Sequence, residues 1–341
     1  MRATTSYRLE DALAARENRD AFFRKGLEYL AANSIAGALG KRSCRFHWNV
    51  NLYVEMMSKC NGRCAFCINR VKYDRTDIPD VRYIEKLEAA IRLTRFLDPS
   101  IQLVGGEPTI FPRRLRAVCE LIEKYRLRKP VITSNGSGLV ENPGLLDDIE
   151  PRLAHLNISR HHDDDQSLNA IMGFVNPLTN TVLAGLLRTH RIAPRIRLNC
   201  CLLASGIAAY KDVERYLAWA LELGVANVCF STLSNLPADY FYSDEVVRQS
   251  RENAVDFAAI MRAVAADPRF RFVKFHSGSH CMYEVWQYTR DGRSCAVVFA
   301  TSNNHFAEEL DRVEDLFELL VFHAEGVLAG SWNRNCKKIL D

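Results

Sequence analysis

Three cysteines, Cys60, Cys64 and Cys67, fall within eight residues in "KCNGRCAFCINR". Thiols packed this closely can hold a metal or a cluster, form a redox pair, or arise by coincidence in a chain with 11 cysteines. A zinc site wants four protein ligands, or three and a water, and the next Cys or His along the chain is Cys119. A redox pair would use Cys64 and Cys67 and leave Cys60 without a task. A four-iron cluster is held by thiolates, and three of them leave one iron open to a substrate or cofactor. The triplet alone leaves all of these standing. Gly62 gives the loop freedom to wrap a ligand.

The surrounding elements say where this loop sits. "FHWNVNLYVEM" (46–56) alternates like a strand, so the triplet follows a strand's carboxyl end. Amphipathic helices at 82–97, 112–127, 176–192 and 210–224 then alternate with short apolar strands at 100–107, 130–138, 152–160, 195–203 and 225–233. Gly224 stops the fourth helix, and 244–266 reads as one long helix. Such alternation means βα units and a parallel sheet, either open or closed into a barrel. In both closures chemistry sits at the carboxyl ends of the strands. Residues 8–40 carry helical spacing. After residue 268 the strands become shorter, and "VFHAEGVLAGSW" reads as a hairpin turning at Glu325-Gly326. The expected division is a helical segment at 1–44, a core at 45–267, and a β-containing extension at 268–341 that packs on the sheet and covers the active site.

On these residues the chain resembles the radical S-adenosylmethionine (radical SAM) superfamily. Cys-x3-Cys-x2-Cys with an aromatic, Phe66, before the last cysteine is similar to its signature. "GGEPT" (105–109) is similar to its glycine-rich motif, and "TSNG", "NISR" and "RIRLN" fall at the following strands, as in the molybdopterin-precursor-cyclase-like branch. The resemblance spans roughly 45–235 and implies a partial (β/α)6 TIM-like barrel. It implies a [4Fe-4S] cluster on Cys60, Cys64 and Cys67, with the open iron binding S-adenosylmethionine. It implies that Gly105, Gly106, Glu107 and Pro108 receive the methionine end, Glu107 meeting its ammonium group. Ser134, Asn135, Ser159 and Asn199 are the candidates for the ribose and carboxylate. The implied reaction is one-electron cleavage to methionine and a 5′-deoxyadenosyl radical, which takes a hydrogen atom from the substrate. A low-potential donor, flavodoxin or ferredoxin, is implied as well.

The substrate is less legible. "SRHHDDD" (159–165) follows the fourth strand, and Arg160, His161, His162 and, on the fifth strand, Arg197 are candidates for an anionic or hydroxylated group. Arg195, Arg197 and Asn199 are expected on one face. His323, Ser331, Trp332 and Asn333 on the C-terminal hairpin form either a stacking wall or a packed end. The molybdopterin cyclase's C-terminal cysteine triplet is missing, and Cys281, Cys295 and Cys336 are too dispersed to suggest an auxiliary cluster. A small metabolite is the leading expectation: a nucleotide, a sugar or an amino-acid derivative. A ribosomal peptide and a non-catalytic zinc scaffold are the alternatives.

The bulk properties fit a globular protein. The chain has 341 residues, 48% hydrophobic and 25% charged, with net charge +4. Its mild basicity is too weak to imply nucleic acid. No apolar run is long enough for a signal peptide or a membrane span, so a cytoplasmic enzyme with free thiols is expected. Cys119, Cys200, Cys201 and Cys229 lie in apolar contexts and are expected in the core.

Overall fold

The computed structural model describes residues 5–6, 8–17, 28, 30–32, 34–40, 42–142, 144–277, 281–302 and 304–341. Its centre is a run of parallel strands: β3 (Arg42–Glu55), β4 (Ser100–Val104), β5 (Val131–Ser134), β6 (His155–Ser159), β7 (Ile196–Leu202) and β8 (Asn227–Thr232). Helices at Asp80–Thr94, Pro112–Lys124, Asn180–Thr189 and Tyr210–Glu222 form crossovers between them. This is the mixed α/β architecture that the alternation predicts, and the partial TIM-like barrel that the resemblance implies.

Side-chain alternation explains the layers. Leu52, Val54, Ile101, Leu103, Ile132, Leu198 and Phe230 are buried in the main hydrophobic core. The intervening Asn51, Tyr53, Gln102, Thr133, Asn199 and Ser231 are only partly covered. A filled TIM barrel lines its interior with branched apolar residues. Here the inward positions are polar, which leaves room for a ligand.

The C-terminal strands do not pack on the sheet as expected; they lengthen it at both edges. β11 (Arg293–Ser302) pairs parallel with β8, and β12 (Leu316–Phe322) pairs parallel with β3. Eight parallel strands therefore lie in line. β10 (Cys281–Arg290) forms a hairpin with β11 around Asp291 and Gly292, both at positive φ (51° and 75°). β9 (Phe270–Ser277) pairs with β10. The predicted hairpin at Glu325-Gly326 joins β12 to β13 (Leu328–Ala329), with Gly326 at φ 81°.

Two expectations are corrected. The segment 244–266 is two helices, Asp244–Glu252 and Phe257–Ala266. Asp256 caps the second, accepting the Ala259 N–H at 2.9 Å, and a capping carboxylate favours a fresh start. Of residues 8–40, Leu9–Glu17 is helical, but Ile35–Leu39 is a strand, β2, antiparallel to β3. Positions 18–27, 29 and 33 lie outside the described residues. Among the described residues no helix is long and apolar enough to cross a membrane.

Candidate functional site

The cysteine loop leaves the carboxyl end of β3 and is held by its neighbours. Asn61 donates to Ser137 Oγ and accepts from Asn135 Nδ2, both at 2.8 Å. The Arg63 N–H donates to the Met172 carbonyl at 2.7 Å. Gly106 sits under the loop: its φ is 53°, and a Cβ there would lie 2.0 Å from the Lys59 carbonyl oxygen. Only glycine permits that approach. The next residue, Glu107, donates its N–H to the same oxygen at 3.0 Å. The glycine turn and the cysteine loop are thus one docked unit.

Both converge on a cavity of about 500 Å³, within the usual range for small-molecule sites. Cys60, Cys64, Phe66, Cys67, Gly105, Gly106, Glu107, Ser134, Asn135, Ser159 and His161, all singled out from the sequence, line it. Burial raises all three thiols, Cys60 to about 11 and Cys64 to about 12. A reactive redox pair needs a lowered thiol instead. Metal binding would remove these protons.

The spacing of the sulfurs bears on which metal. Among the described residues, the groups of three ligand atoms within 4.8 Å of one another are Glu55/His323/Glu325 and Asp147/Glu150/His190. The thiol triplet is wider than that. Zinc with Zn–S bonds of about 2.3 Å would bring its sulfurs to about 3.8 Å. Three thiols on one loop are the donor type that holds an iron–sulfur cluster.

Glu107 is 2% exposed and already engaged. Its Oε1 accepts from the Thr109 N–H (2.9 Å), Thr109 Oγ1 (2.5 Å) and Ser134 Oγ (2.6 Å), and its Oε2 from the Asn135 N–H (2.6 Å). Burial outweighs these donors and raises its pKa. The side chain thus organises the cradle, and its Oε2, with one donor, keeps an acceptor position on the residue that lines the cavity. His161 is buried, and burial lowers its pKa to about 4, so it is neutral. Its Nδ1 accepts the Cys201 N–H at 3.1 Å, which leaves the hydrogen on Nε2. In this bonding state His161 presents a neutral Nε2–H donor to the cavity.

Other candidates are not brought to the cavity. Pro108 is buried in the turn behind Glu107. Arg160 is 1% exposed and bonds to the Leu178 carbonyl, Asp165 and Asn180. It ties a loop together. His162 accepts from the Asp164 N–H at 3.0 Å. Arg197 and Asn199 share a face of β7, as expected, and bond to each other at 3.1 Å. Arg195 precedes the strand and bonds to the Leu153 carbonyl.

The far wall went unread in the sequence. Ser231, Thr232, Ser234, Tyr283, Thr301 and Ser302 line it. Thr232 Oγ1 lies 3.2 Å from Thr301 Oγ1, and Ser234 Oγ lies 2.8 Å from Ser302 Oγ. Tyr53 packs against Trp332 at 4.8 Å between ring centroids. Cys201 faces the cavity because β7 alternates, and Cys229 shares that inward face; neither is core, unlike the buried Cys119 and Cys200. Cys281 lines the cavity too, Cys295 is buried in the core and Cys336 is half-buried. Among the described residues no Lys, Arg or Asp lines the cavity.

Behind this wall a buried charge network joins β3 to the C-terminal hairpin. Glu55 Oε2 lies 2.7 Å from Arg75 and 2.9 Å from His323 Nδ1. His323 Nε2 lies 3.1 Å from the Ser331 carbonyl. Both ring nitrogens thus face acceptors. Glu325 bridges Arg75 (3.6 Å) and Arg334 (2.6 Å). This latch fixes the segment bearing Trp332.

Comparison with known proteins places these features in context. A family profile described as the Radical SAM superfamily matches residues 54–232. SuiB of Streptococcus suis, solved bound to S-adenosylmethionine, has a similar fold: TM-score 0.53, 14% identity, covering 83% of this chain and 60% of SuiB. The same protein bound to the precursor peptide SuiA gives 0.52, 14%, 83% and 59%. The chain thus spans about 60% of that protein's length. No curated protein matches the chain. The profile covers more than half of the residues, so this chain belongs to the radical SAM superfamily, enzymes that use a [4Fe-4S] cluster and S-adenosylmethionine.

Proposed function

We propose that Cys60, Cys64 and Cys67 hold the cluster and that the enzyme acts on an uncharged, hydroxyl- or amide-bearing group entering beside the far wall. The observation that carries the reading is one cavity lined by the triplet, by Gly105 to Glu107, and by neutral hydroxyl and aromatic residues. When bound, the cluster and S-adenosylmethionine supply a 5′-deoxyadenosyl radical that removes a hydrogen atom from substrate. The chain's own residues do the rest. Gly105 and Gly106 let backbone approach the methionine end. Ser134, Asn135 and Ser159 offer short polar groups near it. His161 donates from Nε2. Trp332 and Tyr53 exclude water from one side.

A small metabolite such as a sugar or amino-acid derivative fits a cavity of this volume. A nucleotide triphosphate, the kind of substrate suggested by the cyclase-like branch, is disfavoured, because phosphate recognition calls on Arg, Lys or backbone N–H clusters. The second reading is maturation of a ribosomal peptide, favoured by the fold shared with a protein solved with its precursor peptide. Residues 45–267 carry the cofactor chemistry in this reading, and 268–341 complete the cavity wall. A low-potential flavodoxin or ferredoxin supplies the electron.

The test is 5′-deoxyadenosine formation by the anaerobically reconstituted, reduced protein given S-adenosylmethionine. Product that requires Cys60, Cys64 and Cys67 supports the assignment. Reconstituted protein that holds no iron sinks it.

A further inference from the structure

At the end of the barrel opposite the cysteine loop, three potential ligands meet. Asp147 lies on the helix Leu145–Ile149, Glu150 on the turn after it, and His190 caps the helix Asn180–Thr189. Glu150 precedes the start of β6 and His190 the start of β7. The cysteine loop follows the finish of β3, and the strands are parallel, so the two groups occupy opposite ends.

The spacing is unusual for hydrogen bonds. His190 Nδ1 lies 3.4 Å from Asp147 Oδ1 and 3.5 Å from Glu150 Oε2. Good N–H···O bonds fall at about 2.7–3.2 Å. Two ligands sharing a tetrahedral ion at about 2.1 Å lie about 3.4 Å apart. All three atoms fall within 4.8 Å of one another.

A second observation points the same way. The Glu150 side chain is about nine-tenths buried (11% exposed), and its other oxygen, Oε1, is buried with no hydrogen-bond partner. Among the described residues no Arg or Lys pairs with Asp147 or Glu150; Arg116 reaches Asp148 and Arg152 reaches Glu123. A buried carboxylate oxygen without a donor or cation is costly. The other such group, Glu55/His323/Glu325, differs, because Arg75 lies 2.7 Å from Glu55.

We propose that Asp147, Glu150 and His190 form a divalent-cation site of the zinc class, with Asp147's exposed side leaving a coordination position for water. One imidazole and two carboxylates are a donor set zinc accepts. The ion cross-links the connection entering β6 to the one entering β7, away from the radical chemistry.

The test uses the full chain with its iron–sulfur cluster loaded, so that the cysteine triplet is occupied. Co²⁺ serves as the optical probe and Zn²⁺ as the competitor in calorimetry. The expected result, read in difference spectra against the Co²⁺-free protein, is a single equivalent of Co²⁺ with tetrahedral visible bands, no added thiolate charge-transfer band, and displacement by Zn²⁺. Loss of a supporting residue around a metal typically costs about 10–100-fold in affinity. Asp147→Asn and His190→Gln should each weaken binding by at least that factor. The C60A/C64A/C67A variant should keep the binding, which separates this site from the cluster. Unchanged affinity in both ligand variants, a thiolate band, or no Co²⁺ uptake by the cluster-loaded chain would overturn the assignment.

Discussion

Glu107 and Glu55 are both buried glutamates beside the ends of neighbouring strands, β4 and β3, yet they are held in opposite ways. Glu107 is surrounded by neutral donors: two hydroxyls and two backbone N–H groups. Burial there wins, and its pKa is raised. Glu55 meets a guanidinium and an imidazole; burial opposes ionisation, but His323 and Arg75 outweigh it and its pKa is lowered. The first is a local knot, tied among residues of consecutive strand ends. The second is a long-range latch, closing 268 residues of chain. The cradle side is built to hold a shape around a bound cofactor. The latch side is built to fix a wall that the motif does not encode.

The largest contrast comes from the thiols. Cys60→Ala, Cys64→Ala or Cys67→Ala should abolish iron loading while circular dichroism stays unchanged, because the loop contributes little to the core. Iron analysis after anaerobic reconstitution checks this. Next, His323→Ala should destabilise the protein by about 1–3 kcal/mol, since it leaves the buried Ser331 carbonyl without its donor and Glu55 with Arg75 alone. Urea unfolding measures it, and Trp332 fluorescence should shift with it. A null effect would mean that the latch does not hold the wall.

Gly106→Ala separates the two regions from the other side. Left-handed backbone alone costs a side chain about 1–2 kcal/mol, and the clash with Lys59 adds to that. The loop must lift from the cradle, so S-adenosylmethionine affinity should fall together with the midpoint of urea unfolding.

The smallest effect is in the pH dependence of the protein without S-adenosylmethionine. A lowered carboxyl contributes stability above its ordinary range and loses it as pH falls through the folded value. Glu55→Gln should therefore flatten the acid limb. A raised carboxyl contributes below the ordinary range and loses that contribution as pH rises through the folded value. Glu107→Gln should therefore remove a decline on the neutral side. Each slope is at most about 1.4 kcal/mol per pH unit. Equal slopes in both variants would erase the distinction.

The cradle was legible in the sequence because its parts are local. The cysteine spacing, the glycine pair and the strand-end positions of Ser134, Asn135 and Ser159 follow from the βα rhythm. The wall was not, because its residues meet only through tertiary pairing. Cys281–Arg290 alternates, and Asp291-Gly292 is a hairpin signal that would have revealed it. Nothing local marks Glu55 as a partner for His323. Arg160, an exposed-looking cation after a strand, turned out to be buried because Asp165 and Asn180 fold back over it. Asn61, inside the quoted loop, carried no signal beyond its polarity, although it clasps Asn135 and Ser137.

Among the described residues the eight parallel strands end without a ladder to join them: Tyr53 and Trp332 line the cavity from one side, and Cys281, Tyr283 and Ala300 from the other. A hoop of this kind has a slit. The loops that leave β3 and β8 are stitched by backbone, Lys72 N–H to the Phe241 carbonyl at 2.8 Å and Ser243 N–H to the Arg70 carbonyl at 2.9 Å, so widening the slit breaks this bridge.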